Sequence, residues 1–245
     1  MKAMILAAGL GTRLRPLTDE RPKALVEIGG RTLLEITLAR LRDSGVREVI
    51  INVHHFAEMV IEYLRSNDSF GMRLEVSRED VLLDTGGGLK KAAWFFLEDG
   101  NHAQEPFLLH NVDVISNIDL ARMVRFHGEQ QALATLAVQR RETSRYLLFD
   151  EGHQLCGRRA AQGETERVRA YREAEELAFS GIHVISPAFL RMMTENGAFS
   201  IIDSYLRIAG EEKRILGFRA DEYSWRDLGT PQNLKQAEAD FKNLA

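Results

Sequence analysis

The chain has 245 residues, 44% hydrophobic and 28% charged, enough to bury a core as one large domain or as a domain with a lobe. Its formal net charge is -4 with no basic patch or block of like charge, which argues against nucleic acid and membrane surfaces as partners. The lone cysteine, Cys156, excludes an internal disulfide and fits a cytoplasmic location. The opening "MKAMILAAGLGTR" is not a signal peptide, since its apolar run is short and ends in a Gly/Arg loop, and no other run is long enough to span a bilayer.

"AMILAA" is a short continuous apolar run, as a strand buried on both faces requires. "LLEITLARLRDSG" has helical spacing and stops at Gly45. "EVIINV" then reads as a strand, "FAEMVIEYLRSN" as a helix, "RLEVS" as a strand, "GLKKAAWFFLED" as a helix and "PFLLHNV" as a strand. "DLARMVRFHGEQ" and "ALATLAV" continue the alternation as helix and strand. Such alternation predicts an α/β fold: three layers, with a mostly parallel twisted sheet and helices on both faces.

The pattern changes after Val138. "YLLFDEGHQLCG" predicts a hairpin across Glu151–Gly152. The charged stretch "RRAAQGETERVRAYREAEE" reads as a loop or irregular arm, with Arg158–Arg172 a mobile lid or packing arm. "LAFSGIHVI" is strand-like, Pro187 starts a helix through about Glu195, "IIDSYLRIAG" is helical, "RILGFRA" is a strand and "PQNLKQAEADFKNL" is a closing helix. Neither a linker nor a fixed-period repeat interrupts the chain. The expectation is a single domain over 1–245, with 1–138 forming one half and 139–245 a smaller lobe that closes over the sheet.

The loop "LAAGLGTRLRPLTDERPKAL" follows the first strand. Gly9 and Gly11 permit close backbone approach, and Arg13, Arg15, Arg21 and Lys23 add positive charge. Leu14 stands where a dinucleotide fingerprint needs its third glycine, and Pro16 and Pro22 oppose a helix running straight on. Cations beside glycines at the carboxyl end of a first strand suggest a polyphosphate site. The competing reading is a solvated loop whose arginines pair with Asp19 and Glu20.

This loop, with "VIINVHHFAEMVIEYL", "LLDTGGGLKKA", "AFSGIHVISPAFL" and "WRDLGTPQNL" in the same order, resembles the sugar-1-phosphate nucleotidylyltransferases, or nucleotide-sugar pyrophosphorylases. The likeness is greatest to mannose-1-phosphate guanylyltransferases and N-acetylmuramate-1-phosphate uridylyltransferases, and it covers nearly the whole chain. It implies a nucleotide-diphospho-sugar transferase fold, and the absence of hexapeptide repeats after Ala220 leads us to expect no carboxy-terminal β-helix. It also implies an enzyme that couples an NTP to a sugar 1-phosphate, releasing pyrophosphate, with Mg²⁺ as cofactor and a monomer or homodimer as the working form.

Carried over residue by residue, the resemblance places Ala7, Ala8 and Gly9 near the base and ribose, and Gly11 and Thr12 at the phosphates as backbone donors. Arg13 would bind the departing phosphates, and Lys23 the α-phosphate and the incoming sugar phosphate. Gly86 and Gly87 would let the base lie on bare backbone, with Asp84 nearby; the alternative is a glycine-rich turn ahead of a helix. Asp113 and Asp227 would be the metal ligands, although Asp227 by itself also suits a helix start before Pro231. Asn111, Ser180 and Gly181 would face the sugar. Val112 stands where the family carries glycine before the first aspartate, and the family's Glu-Lys-Pro motif is absent, so the sugar-recognition half departs most from the common pattern.

His54 and His55 read as a strand-end pair rather than metal ligands, Trp94, Phe95 and Phe96 as core, and Cys156 as a structural thiol. Arg140, Arg141 and Arg145 read as a solvated face rather than as contacts to an anionic sugar substituent. Three rival functions share some features. They are a cytidylyltransferase acting on a small alcohol phosphate or phosphocholine, a non-catalytic nucleotide-sugar sensor, and a glycosyltransferase of related fold. The aspartates of "DVISNID" are spaced too widely for the metal pair expected of the last.

Overall fold

The computed structural model of the chain describes residues 1–97, 104–160 and 162–244. The first apolar run forms β1 (Lys2–Leu6). After the glycine loop, the short ribbon of β2 (Glu27–Ile28) and β3 (Arg31–Thr32) leads into α1 (Leu33–Asp43). Thr32 caps that helix, its hydroxyl accepting from Glu35 N at 3.0 Å. β4 (Glu48–Val53), α2 (Ala57–Ser66), β5 (Arg73–Arg78), α3 (Asp84–Lys91), α4 (Trp94–Leu97) and β6 (Phe107–Asn111) follow. Then come β7 (Val114–Ser116), α5 (Leu120–Glu129) and β8 (Ala134–Gln139). The second half comprises β9 (Arg145–Asp150), β10 (Leu155–Ala160), β11 (Thr165–Arg167), β12 (Ala174–Ile185), α6 (Pro187–Arg191), α7 (Ile201–Gly210), β13 (Ile215–Arg219), β14 (Trp225–Asp227) and α8 (Pro231–Leu244).

One large sheet runs in the order β11-β10-β9-β12-β6-β1-β4-β5, with β8 joined to β12 and to β13. Its centre, β6-β1-β4-β5, is parallel, as the alternation of strand and helix predicts. β12 runs antiparallel to β6, β8 and β9 and carries the sheet into the second half. Alternation along the central strands divides the core into two. Ala3, Ile5, Val49 and Ile51 face the side covered by α1, α2, α5 and α8, whereas Met4, Ile50 and Leu109 face α3, α6 and α7. This confirms the expected helices on both faces.

Three local readings change. The charged arm is not irregular throughout: Arg158–Ala160 close β10, and β11 pairs with it as an edge strand. Arg158 bonds Glu166 and Asp203, each at 2.6 Å, and Arg159 is paired with Glu176. Ion pairs rather than an apolar face hold this edge, so no hydrophobic period marked it. The helix from Pro187 ends at Arg191, short of Glu195. The helix expected at Gly88 begins earlier, at Asp84, and breaks before Trp94; its expected end at residues 98–99 lies outside the described residues.

Candidate active site

β1, β4 and β6 run parallel and end side by side, so their carboxyl ends present Ala7–Gly9, Asn52 and Asn111–Asp113 along one edge, where ligands bind in open sheets of this kind. A cleft of ≈ 540 Å³ opens there. Its walls include Ala7, Ala8, Gly9, Lys23, Asn111, Val112 and Asp113, joined by Asn52, Leu82, Asp84, Thr85 and Ala198. The volume suits a nucleotide-sized ligand.

The glycine loop reaches this edge by folding back on itself. Gly11 adopts a left-handed conformation, φ +66°, and opens a short turn over Thr12–Leu14. A Cβ there would stand 2.9 Å from Thr18 Cγ2 and 3.2 Å from Lys23 Cβ, so only glycine lets the loop close this tightly. Leu14 is buried and anchors the turn. Arg13 remains 63% exposed, its Nη2 4.0 Å from Asp227. A second short turn, Lys23–Leu25, aims Lys23 inward to bond Asp113; the two side chains are only 12% and 16% exposed.

The two aspartates meet through a small ladder. β14 pairs antiparallel with β7, placing Asp227 opposite Val114, and Leu228 N donates to Asp113 O at 2.8 Å. Gly229 N and Asn233 Nδ2 hold Asp227, donating to its Oδ1 and its backbone carbonyl at 2.5 and 2.6 Å. Asp227 is therefore no simple helix cap, because its carboxylate stands beside Arg13 as well. Val112 is buried between the cleft and the α1 side of the core.

Asn52 and Glu79 escaped the sequence reading. Both are 2% exposed. Asn52 Oδ1 accepts from Ala7 N at 2.7 Å, and its Nδ2 donates to Glu79 Oε1 at 2.7 Å. Glu79 Oε2 in turn accepts from Leu83 N at 2.9 Å. This relay ties the glycine loop to the start of α3. The available signal was polarity: an Asn in the apolar run "EVIINV" and a Glu directly after the strand "RLEVSR".

Gly86 and Gly87 lie behind the cleft wall, which Asp84 and Thr85 form. A Cβ on Gly86 would meet the Phe199 ring at 2.3 Å, and one on Gly87 the Gly197 carbonyl oxygen at 2.4 Å. Their amides reach Phe199 O at 2.9 and 3.4 Å. Close packing of residues 197–201 on α3 thus accounts for these two glycines. Ser180 and Gly181 are buried in an irregular stretch of β12. Ser180 bonds Gln139 at 3.3 Å, and Gly181 lies against Asn111.

The remaining expectations divide. His54 meets Glu79 O at 2.8 Å and His55 packs on Phe56, and among the described residues no group of three His, Cys, Asp or Glu could hold a metal. Phe95 and Phe96 are core, but Trp94 is exposed. Cys156 is buried and donates to Leu148 O at 3.3 Å, and burial pushes its thiol up to about 11, as befits a structural residue. His110, next to Asn111, is fully buried; burial, then Arg40, lowers its pKa to about 4, so it is neutral beside the site.

The fold and a cation–carboxylate cluster at the strand ends define a nucleotide-handling α/β protein. The chain belongs to the nucleotidyl transferase family, whose pattern matches residues 2–243. It is 34% identical to the N-acetylmuramate alpha-1-phosphate uridylyltransferase of Caulobacter vibrioides, over 97% of this chain and 95% of that protein. It is 30% identical to the mannose-1-phosphate guanylyltransferase catalytic subunit beta of Danio rerio, over 95% of this chain and 62% of that one. A UDP-glucose pyrophosphorylase solved with UDP-glucose shares the fold, with a TM-score of 0.77 at 18% identity, over 100% of this chain and 99% of that one. Among the described residues no helix is long and apolar enough to cross a membrane.

Proposed function

We propose that the chain transfers a nucleotidyl group from an NTP to a sugar 1-phosphate, giving an NDP-sugar and pyrophosphate. The observation that carries this reading is the Lys23–Asp113 pair at the carboxyl ends of β1 and β6, with Asp227 brought alongside by β14. Ala7, Ala8 and Gly9 line the cleft for the nucleoside. Gly11 and Thr12 offer amides to the phosphates, and Arg13, exposed at the surface, neutralises the pyrophosphate as it leaves. Lys23 supports charge at the α-phosphate. The sugar phosphate attacks the α-phosphorus in line; already anionic at neutral pH, it needs no general base.

Two carboxylates from separate strand ends suit Mg²⁺, which takes oxygen ligands and keeps several waters. Asp113 and Asp227 would hold it, Lys23 releasing Asp113 to do so. When bound, the ion supplies Lewis-acid neutralisation of phosphate charge. The same reading has the chain act in the cytoplasm as a single domain, monomeric or homodimeric. Asn111 borders the sugar, with Val112 narrowing its approach, while Gly181, packed against Asn111, and the buried Ser180 lie behind that wall.

The test is a matrix of NTPs against sugar 1-phosphates, read by pyrophosphate release with and without EDTA. UTP with N-acetylmuramate 1-phosphate and GTP with mannose 1-phosphate head it, because the relatives bear those names. CTP with choline phosphate is the counter-arm. Turnover of at least one sugar 1-phosphate, abolished by EDTA, is expected. Turnover of choline phosphate alone, or nucleotide binding with no turnover in any pair, would sink the reading.

A further inference from the structure

Arg141 does not belong to the solvated face expected for Arg140, Arg141 and Arg145. Arg140 is exposed and paired with Glu175, but the Arg141 guanidinium lies 3.7 Å from the centre of the Trp225 ring. Its Nη2 donates to Phe179 O at 2.6 Å. Its Nε is buried and has no hydrogen-bond partner among the described residues. Stacking and a backbone acceptor remove the freedom of a long side chain, so the charge stands in one place.

That place adjoins Asp227. Trp225 and Asp227 are two residues apart on β14 and share a face of it, so Arg141 packs on the face that carries Asp227. Burial weakens its hold on its proton, and the charge of Asp227 opposes that effect. Trp225 donates its indole N–H to Ser180 O at 2.7 Å. Ser180 and Gly181 lie where β12 shifts register, and Gly181 touches Asn111 of the cleft wall. Arg141 is therefore connected through Trp225 to the Ser180–Gly181 stretch that touches Asn111, and it lies within reach of the charge of Asp227.

The reaction brings two phosphates to two carboxylates. Lys23 is already bonded to Asp113, and Arg13 lies at the surface beside Asp227. Arg141 stacks on Trp225 and donates to one backbone carbonyl but makes no ion pair within 4.0 Å among the described residues, and its guanidinium retains donors for an incoming anion. We infer that Arg141, steadied by Trp225, binds the phosphate of the acceptor sugar 1-phosphate. The assignment rests on the function proposed above.

The test uses the full chain and the substrate pair that the matrix identifies. Arg141→Gln is expected to raise the acceptor KM about 10- to 100-fold, the worth of a charge-assisted bond, and to leave the NTP KM within about twofold. A second readout needs no turnover. The chain has two tryptophans, so Trp94→Phe leaves Trp225 as the sole indole emitter. In EDTA with the NTP present, titrating the sugar 1-phosphate should change Trp225 emission, and adding Arg141→Gln should shift that titration by the same factor. If Gln prevents folding, Arg141→Lys takes its place, with a smaller shift in the same direction. Superimposable acceptor curves, absence of an emission change in the parent, or an NTP KM that rises as much as the acceptor KM would each overturn the assignment. Failure of every pair in the matrix would remove the reaction itself, a separate and distinguishable result.

Discussion

The Lys23 ammonium is bonded to the Asp113 carboxylate across ninety positions of sequence, and both groups are largely shielded from water. The contact joins the two motifs that the chemistry needs: the glycine loop after β1 and the acidic end of β6. Lys23→Met is expected to lower kcat/KM at least about 100-fold and to destabilise the fold by about 1–3 kcal/mol, because Asp113 loses its partner in a shielded position. Arg13→Ala, at an exposed position, should lower activity comparably with no change in melting temperature. Steady-state kinetics beside thermal melts separate the two; equal loss of stability in both variants would contradict the geometry.

Asp113→Ala and Asp227→Asn should each reduce pyrophosphate release at least about 100-fold while circular dichroism stays native. Wild-type protein should gain thermal stability when MgCl₂ is added with the NTP, through mass action on the folded state. Both variants should lose most of that gain. Near-wild-type turnover in Asp113→Ala would refute its place in the mechanism.

Gly86 tests packing against direct nucleotide contact. Its missing Cβ is replaced in space by the Phe199 ring, so Gly86→Ala should destabilise by about 1–3 kcal/mol through overpacking. Adding Phe199→Leu should recover part of the loss, a coupling that urea melts of the double-mutant cycle measure. A raised NTP KM with an unchanged melt would instead favour the base lying on that glycine.

The buried histidines make stability fall in acid. Burial lowers His110 and His127 to about 4, and burial with the neighbouring His110 lowers His183 to about 3. Unfolded histidine titrates near 6.5, so between about pH 6.5 and 4 the unfolded chain binds more protons, and stability rises with pH across that window. Melting temperature should therefore drop steadily from pH 7 to pH 4.5. Each histidine contributes on the order of 2 kcal/mol of the loss at pH 5. His127 is held by Thr135 at 3.0 Å and Ser186 at 2.9 Å, away from the cleft. His127→Gln should flatten the profile; an unchanged slope would mean that the group titrates normally.

Much of this was legible in one dimension. Continuous apolar runs marked β1, β4 and β6, and Gly9, Gly11 and the cations Arg13 and Lys23 after β1 suggested a polyphosphate loop, whereas Ala7, Ala8 and Asp113 were singled out by the family resemblance. Long-range pairing was not legible. Asp113 and Asp227 come together only because three-residue strands, too short to show a period, pair as β7 and β14. Asn52 and Glu79 escaped the sequence reading, because only burial makes them bond each other and Ala7.

The sequence by itself determined the parallel centre of the sheet, the glycine loop and the chemical types at the strand ends, because periodicity, glycine placement and charge are local properties. Only the tertiary structure decided which of these groups touch. It turned Gly86 and Gly87 toward Phe199 and Gly197, and folded the charged arm onto the sheet edge through ion pairs. It also lifted Arg141 out of solvent and set it on Trp225 beside Asp227. Those outcomes depend on which distant surfaces close-pack, and close packing joins residues that no sequence spacing relates.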